Sequence, residues 1–382
     1  MKYFLLRLQC LLIFLVFALP AAAQLDNSVF YRDLQVDSAD TYDLRFGLDA
    51  LGFSKNNEYF NKIADGYTLF GTQLNPKVIY FPAAFARVEA GVFMQHDFGN
   101  PKLRQVRPTF TIKIDKGRHA FLFGTLEGDV SHRYIEPLYD FEKMLVNRLE
   151  QGMQYKYESE KLWLDAWIDW RKMIYPNDPF QEEVVGGVSS VFTVFEKNGL
   201  KMTVPVQFTG LHRGGQIDST DLPLVTLFNA AAGFKLHKAF KGDVVTAVYT
   251  ENHLVGYTDY SNTKLKPFEQ GSGVYLNAGI NTKYQNLLLS YWRGNGYISE
   301  LGGDLYQSAS TTVGNPGFTQ KNRELLIIRL LHDIHFTDNL TLTLRLEPFI
   351  DFNDPALEFS NSIYIRYTPA FKIANVKAVP KL

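Results

Sequence analysis

Two histidines, in the run His332-Asp333-Ile334-His335, are the first residues in this chain whose types suggest chemistry. Read as a strand, the run points positions three apart to opposite faces, so the pair cannot chelate one ion. No metal site and no cofactor are expected from it. A nucleophile and its base could be drawn from Ser189 or Ser190 with His212. The serines lie in Gly186-Gly187-Val188-Ser189-Ser190, which lacks the G-x-S-x-G pattern, and nothing in the spacing brings them to His212. No phosphate-binding loop is present. No catalytic residue is assigned, and an enzyme is not the expected reading.

Binding chemistry has better candidates. In segment 161–174, Trp163, Asp165, Trp167, Asp169 and Arg171 alternate with Leu162, Leu164, Ala166 and Ile168. Strand rise puts the two indoles roughly 13 Å apart on one face. Aromatic faces with interleaved carboxylates form either a track for a sugar or a surface that packs against an inserted loop. A second cluster, Glu136, Asp140 and Glu142, lies in 131–150, where Leu138, Phe141, Leu145 and Leu149 follow Pro137 at helical spacing.

The elements that must carry these residues read as strands. Leu340 to Glu347 alternates leucines with Thr341, Thr343, Arg345 and Glu347, and Asn361 to Ile373 alternates in the same way. Sixteen segments follow this reading, near 42–53, 67–81, 86–98, 104–115, 119–130, 151–158, 161–174, 182–196, 200–212, 224–239, 244–257, 271–283, 286–298, 322–336, 340–352 and 361–373. Fourteen or eighteen strands are the neighbouring counts, because alternation blurs over 182–257. Tight polar turns such as Asp115-Lys116-Gly117-Arg118 and Lys197-Asn198-Gly199 alternate with long connections such as 131–150, 213–223 and 299–321. A soluble sandwich has no reason to sort its loops so, whereas a transmembrane barrel has turns on one side and loops on the other.

The ends and the composition agree. Lys2 and Arg7, an apolar run to Leu19, Pro20 and Ala21-Ala22-Ala23 form a secretory signal peptide over 1–23. The apolar run is too short to span as a helix, and nothing later approaches that length. Cys10 is the only cysteine, so the exported chain carries no disulfide. A net charge of −1 lacks the basic excess a nucleic-acid partner needs, and 14% aromatic residues suit a barrel. The expected organisation is a signal peptide (1–23), a periplasmic or plug-like N-terminal tail (24–41), an all-β antiparallel up-and-down barrel (42–373) and a C-terminal tail (374–382).

On this architecture, with runs such as Tyr67-Thr68-Leu69-Phe70-Gly71 and Asn75-Pro76-Lys77, the chain resembles the Gram-negative outer-membrane barrels of the general-porin class, with a flavour of those of Bacteroidota. Phe371 departs from the pattern, because the family usually ends on an aromatic residue and here eleven residues follow it. The resemblance implies an outer-membrane location and passive conduction of small hydrophilic solutes, sugars among them. It also implies lipid and lipopolysaccharide contacts, the barrel-assembly machinery as a partner, and a homotrimer. If the apolar faces meet lipid, Trp163, Asp165, Trp167, Asp169, Arg171, Arg345, Glu347 and Arg366 line the interior. A lipid-facing Arg or Lys at mid-depth would cost about 2–4 kcal/mol. The helix carrying Glu136, Asp140 and Glu142 would then either constrict the channel with a cation bias or cap its outer mouth. The other reading is a filled barrel that is structural, adhesive or complex-forming, or that exports polysaccharide. No segment reads as a TonB-contacting box with a large plug domain.

Overall fold

The computed structural model describes residues 27–30, 34, 36–127 and 132–376. The strands are β1 (Asp43–Glu58), β2 (Tyr67–Ala83), β3 (Ala86–Asp97), β4 (Gln105–Lys116), β5 (His119–Thr125), β6 (Gln151–Glu158), β7 (Leu162–Lys172), β8 (Glu183–Lys197), β9 (Leu200–Arg213), β10 (Val225–Ala239), β11 (Val245–Asp259), β12 (Gln270–Thr282), β13 (Asn286–Asn295), β14 (Asn322–Thr337), β15 (Leu340–Asp351), β16 (Leu357–Tyr367) and β17 (Ala370–Asn375). Each pairs antiparallel with the next as far as β16, and β1 closes the ring against both β16 and β17. The last two are halves of one wall strand, interrupted at Thr368-Pro369 where proline offers no N–H to the ladder. The wall is therefore a closed sixteen-strand antiparallel barrel, which leaves no free sheet edge.

Period-two alternation decides the faces. Phe110, Phe121, Phe208, Leu254, Ile363 and Ile365 point outward and are exposed, forming an apolar belt. Arg87, Lys113, Asp165, Glu251 and Arg345 point inward and are buried. Short turns and long loops sort to opposite rims, and the first wall strand begins and the last ends at the short-turn rim. No helix among the described residues is long and apolar enough to cross a membrane.

Some boundaries differ from the sequence reading. β1 runs on to Glu58, because its polar last turn is still paired with β2 and β16. β5 stops at Thr125, and the chain then leaves the wall with Leu126 buried. The helix expected after Pro137 is a single turn, Lys143–Val146, within an otherwise irregular path. Its four periodic residues, Leu138, Phe141, Leu145 and Leu149, are all buried. Packing on several sides produces the apolar spacing without a continuous helix. The signal peptide lies outside the described residues.

Among the described residues, three segments occupy the lumen. The β5–β6 loop enters from the long-loop rim and packs Tyr134, Ile135, Leu138 and Tyr139 against Trp167, Val185, Leu211 and Leu227 of the wall. The β13–β14 loop supplies Tyr297, Ile298, Leu301 and Tyr306 to the same core. Gly302 lets the two loops touch, since a Cβ there would lie 2.0 Å from the Pro137 carbonyl oxygen. From the other end, Phe30 packs on Phe141 and Tyr364, while the Arg345 guanidinium covers both Phe30 and Phe141.

Candidate functional site

Where the β5–β6 loop meets β1, β2, β14 and β15, a cavity of about 60 Å³ remains, lined by Lys55, Tyr67, Glu136, Asp140, Glu142 and Arg329 among others. Lys55 and Asn57 reach it because β1 continues past residue 53 with the same inward phase. Lys55 Nζ lies 3.2 Å from Glu142 and 3.7 Å from Glu347, and donates to Ser360 Oγ at 2.9 Å. Asn57 Nδ2 donates to both Glu142 oxygens at 3.1 and 3.3 Å, and the exposed Tyr67 hydroxyl donates to the same carboxylate. Arg329 bonds Glu136 and, at 2.8 Å, Glu347. Tyr306 and Tyr275 donate to Glu136 at 2.6 and 3.1 Å.

One acid stands apart. Asp140 Oδ1 accepts the Glu142 backbone N–H at 2.9 Å. Burial, reinforced by the Glu142 charge, pushes its carboxyl well above the ordinary carboxylate range. Lys143 is pulled down by burial, partly offset by Asp140. A half-buried carboxyl with raised proton affinity can exchange a proton, and the lysine and arginine that share its cavity can stabilise a developing oxyanion. Among the described residues no cluster of His, Cys, Asp or Glu is arranged to hold a metal ion.

The residues singled out in the sequence separate into two groups. Glu136, Asp140, Glu142 and Glu347 come together in this cavity. Trp163, Asp165, Trp167, Asp169 and Arg171 face the interior but meet protein. Trp163 lies under the Arg133 guanidinium at 4.0 Å, and Trp167 is stacked against His132 with ring centroids 4.5 Å apart. Asp169 accepts the Gln151 backbone N–H at 2.7 Å, and Arg171 pairs with Glu183 at 3.4 Å. Arg345 donates to Asn27 Oδ1 at 3.0 Å and Arg366 to the Val29 carbonyl at 2.5 Å. The loop thus buries Trp167 and lays Arg133 over the half-buried Trp163.

His132 and Arg133 both adopt positive φ, 47° and 57°, in the tight turn that brings the loop inward. His132 is held from both ring nitrogens, at 2.9 Å by Asp165 and 2.8 Å by Glu150. Burial alone would lower its pKa, but the two carboxylates outweigh that and raise it to about 10. Gly187, read as part of a failed nucleophile motif, has a packing role: a Cβ there would lie 2.4 Å from the Tyr134 hydroxyl. Ser189 pairs in register with Gln207 while His212 pairs with Val184, so no serine–histidine dyad forms across β8 and β9. His212 instead bonds Thr226 at 2.9 Å.

The model of one protein family matches residues 36–376 of this chain, nearly the whole barrel. Its description is "Lipid A 3'-O-deacylase-type". The chain belongs to this family. Among solved structures it is similar to a loop-deletion form of OmpT, an outer-membrane protein of Vibrio cholerae, at 11% identity and TM-score 0.51, over 86% of this chain and 100% of that one. OprD of Pseudomonas aeruginosa matches at 10% identity and TM-score 0.47, over 89% and 98%. OccAB4 of Acinetobacter baumannii matches at 11% and 0.45, over 86% and 98%. A search of the curated proteins finds no match. The fold is that of outer-membrane porins.

Lys55, Asn57 and Tyr67 escaped the sequence reading of the site. The available signal was the unbroken inward phase Phe53, Lys55, Asn57. The outward residues Ser54 and Asn56 are polar too, so contrast between faces vanished there and the segment read as loop.

Proposed function

We propose that this barrel hydrolyses an acyl ester of lipid A in the cavity between its wall and its β5–β6 loop. The observation that carries the reading is Asp140, half-buried with raised proton affinity in a cavity shared with Lys55 and Arg329. Membership of the deacylase-type family supports the substrate class. The cavity lies at the long-loop rim, which in such barrels faces outside, where the outer leaflet carries lipid A. Ionised Asp140 takes a proton from water as the oxygen adds to the ester carbonyl carbon. Lys55 and Arg329 stabilise the oxyanion. The tetrahedral intermediate then expels the sugar alkoxide, which takes the proton back from Asp140, giving a free fatty acid and a sugar hydroxyl. Refolded protein incubated with purified lipid A should release a fatty acid detected by mass spectrometry, and Asp140→Asn should abolish the release. Equal release by the variant would reject this assignment.

A second reading, passive conduction of small hydrophilic solutes, is favoured by the wall itself. Sixteen strands are enough to enclose an aqueous channel, and the inner face is charged. Conduction would require the β5–β6 loop to leave the lumen. Stepwise currents from the intact protein in planar bilayers would support this reading, and silent bilayers oppose it.

A further inference from the structure

A second, larger cavity of about 120 Å³ lies deeper in the barrel, between the β5–β6 loop and the inner faces of β1 to β5. Its wall is a run of ion pairs. Lys77 lies 2.9 Å from Asp49 and 2.6 Å from Glu89, Arg87 lies 2.7 Å from Glu89 and also bonds Glu127, and Lys113 lies 3.0 Å from Glu127. These acids are already engaged by cations. Arg148 enters the same space from the loop and is different: its hydrogen bond is to the neutral Gln73 Oε1, at 3.2 Å. Among the described residues it makes no ion pair. Burial opposes its charge, and the Asp49 carboxylate favours it.

A guanidinium presents a planar fork of five donors, and one acceptor leaves most of that capacity unused. Thr109, Thr111 and Lys77 line the space around it. A cavity this size exceeds the 10–15 Å³ or so that one water requires, so it has room for a group of several non-hydrogen atoms. We propose that this cavity is a binding site for a small oxyanion, a phosphate or carboxylate group gripped by Arg148. The site is separate from the acidic cavity near Asp140 and does not depend on the hydrolase reading.

Isothermal titration of the refolded full-length mature barrel in detergent, at constant ionic strength, tests this with inorganic phosphate and acetate as separate probes. Saturable one-site binding of either probe is expected, weakened at least tenfold by Arg148→Gln and less by Arg148→Lys, which keeps charge but loses the fork. Heat-modifiable gel mobility confirms that each variant is folded; should the glutamine variant not fold, a weaker affinity in Arg148→Lys than in wild type carries the test. Phosphate bound without acetate, or the reverse, fixes the class of oxyanion. Wild-type protein that takes up neither probe saturably, or folded variants that bind as wild type does, would overturn the proposal.

Discussion

The imidazole of His132 lies flat on the indole of Trp167, their centroids 4.5 Å apart and their planes 8° from parallel. This stack, with the two carboxylates that grip the imidazole, ties the inserted loop to β7. The raised pKa of about 10, against an ordinary 6.5, sets the pH range over which the tie holds. A histidine raised on folding contributes its full stabilisation below about 6.5 and loses it as pH climbs through about 10. Protease nicking of the loop in the folded barrel should therefore increase between roughly pH 9 and 11. His132→Gln should show the nicking already at neutral pH. A loop equally resistant in both proteins at both pH values would refute the latch.

Removing the two indoles tests what they do. Trp163→Ala/Trp167→Ala should loosen the loop, because truncating the buried Trp167 by itself costs about 3–5 kcal/mol. The double variant should then conduct where the parent is silent, without any effect of added sugar on the current. Sugar-dependent block in the parent that disappears in the variant would restore the sugar-track reading of β7.

Loop contact can be broken without touching the wall. A side chain at Gly302 would collide with the Pro137 carbonyl, so Gly302→Val should separate the two inserted loops. Deleting 134–148 should have the larger effect, opening a steady conductance in planar bilayers. An unchanged conductance after the deletion would show that other inserts close the lumen.

Chemistry in the acidic cavity should follow Asp140. If its carboxylate is the base, the acid limb of the pH–rate profile lies well above the ordinary carboxylate range, because burial and Glu142 raise its proton affinity. Glu142→Gln removes that neighbouring charge and should move the limb to lower pH. Asp140→Asn should reduce turnover by about 10²-fold or more, the usual scale for losing a general base. A limb that stays in place in Glu142→Gln would exclude Asp140 as the titrating group.

Much of the wall was legible because a strand wetted on one face writes its orientation into alternate residues, as in Leu340 to Glu347. Legibility failed where both faces are polar, as at Ser54 to Glu58, and where the chain leaves the wall, as after Thr125. The acidic loop residues were visible as a cluster, but their partners were not. Glu136 meets Arg329 across 193 positions of sequence, and no local pattern encodes that encounter. The spacing of Leu138, Phe141, Leu145 and Leu149 suggested a helix because apolar residues recur wherever a segment is packed on several sides. His132 gave no signal at all, since its two carboxylates come from Glu150 and Asp165 on different elements.

Ester cleavage on lipid A is the activity proposed for a barrel that closes its own lumen. Mass spectrometry of lipid A, extracted from Gram-negative cells producing either the parent or Asp140→Asn, tests it most directly. A species lighter by one ester-linked acyl chain is expected with the parent and none with the variant, both proteins being folded in the outer membrane. Identical, fully acylated lipid A in both cultures would contradict it.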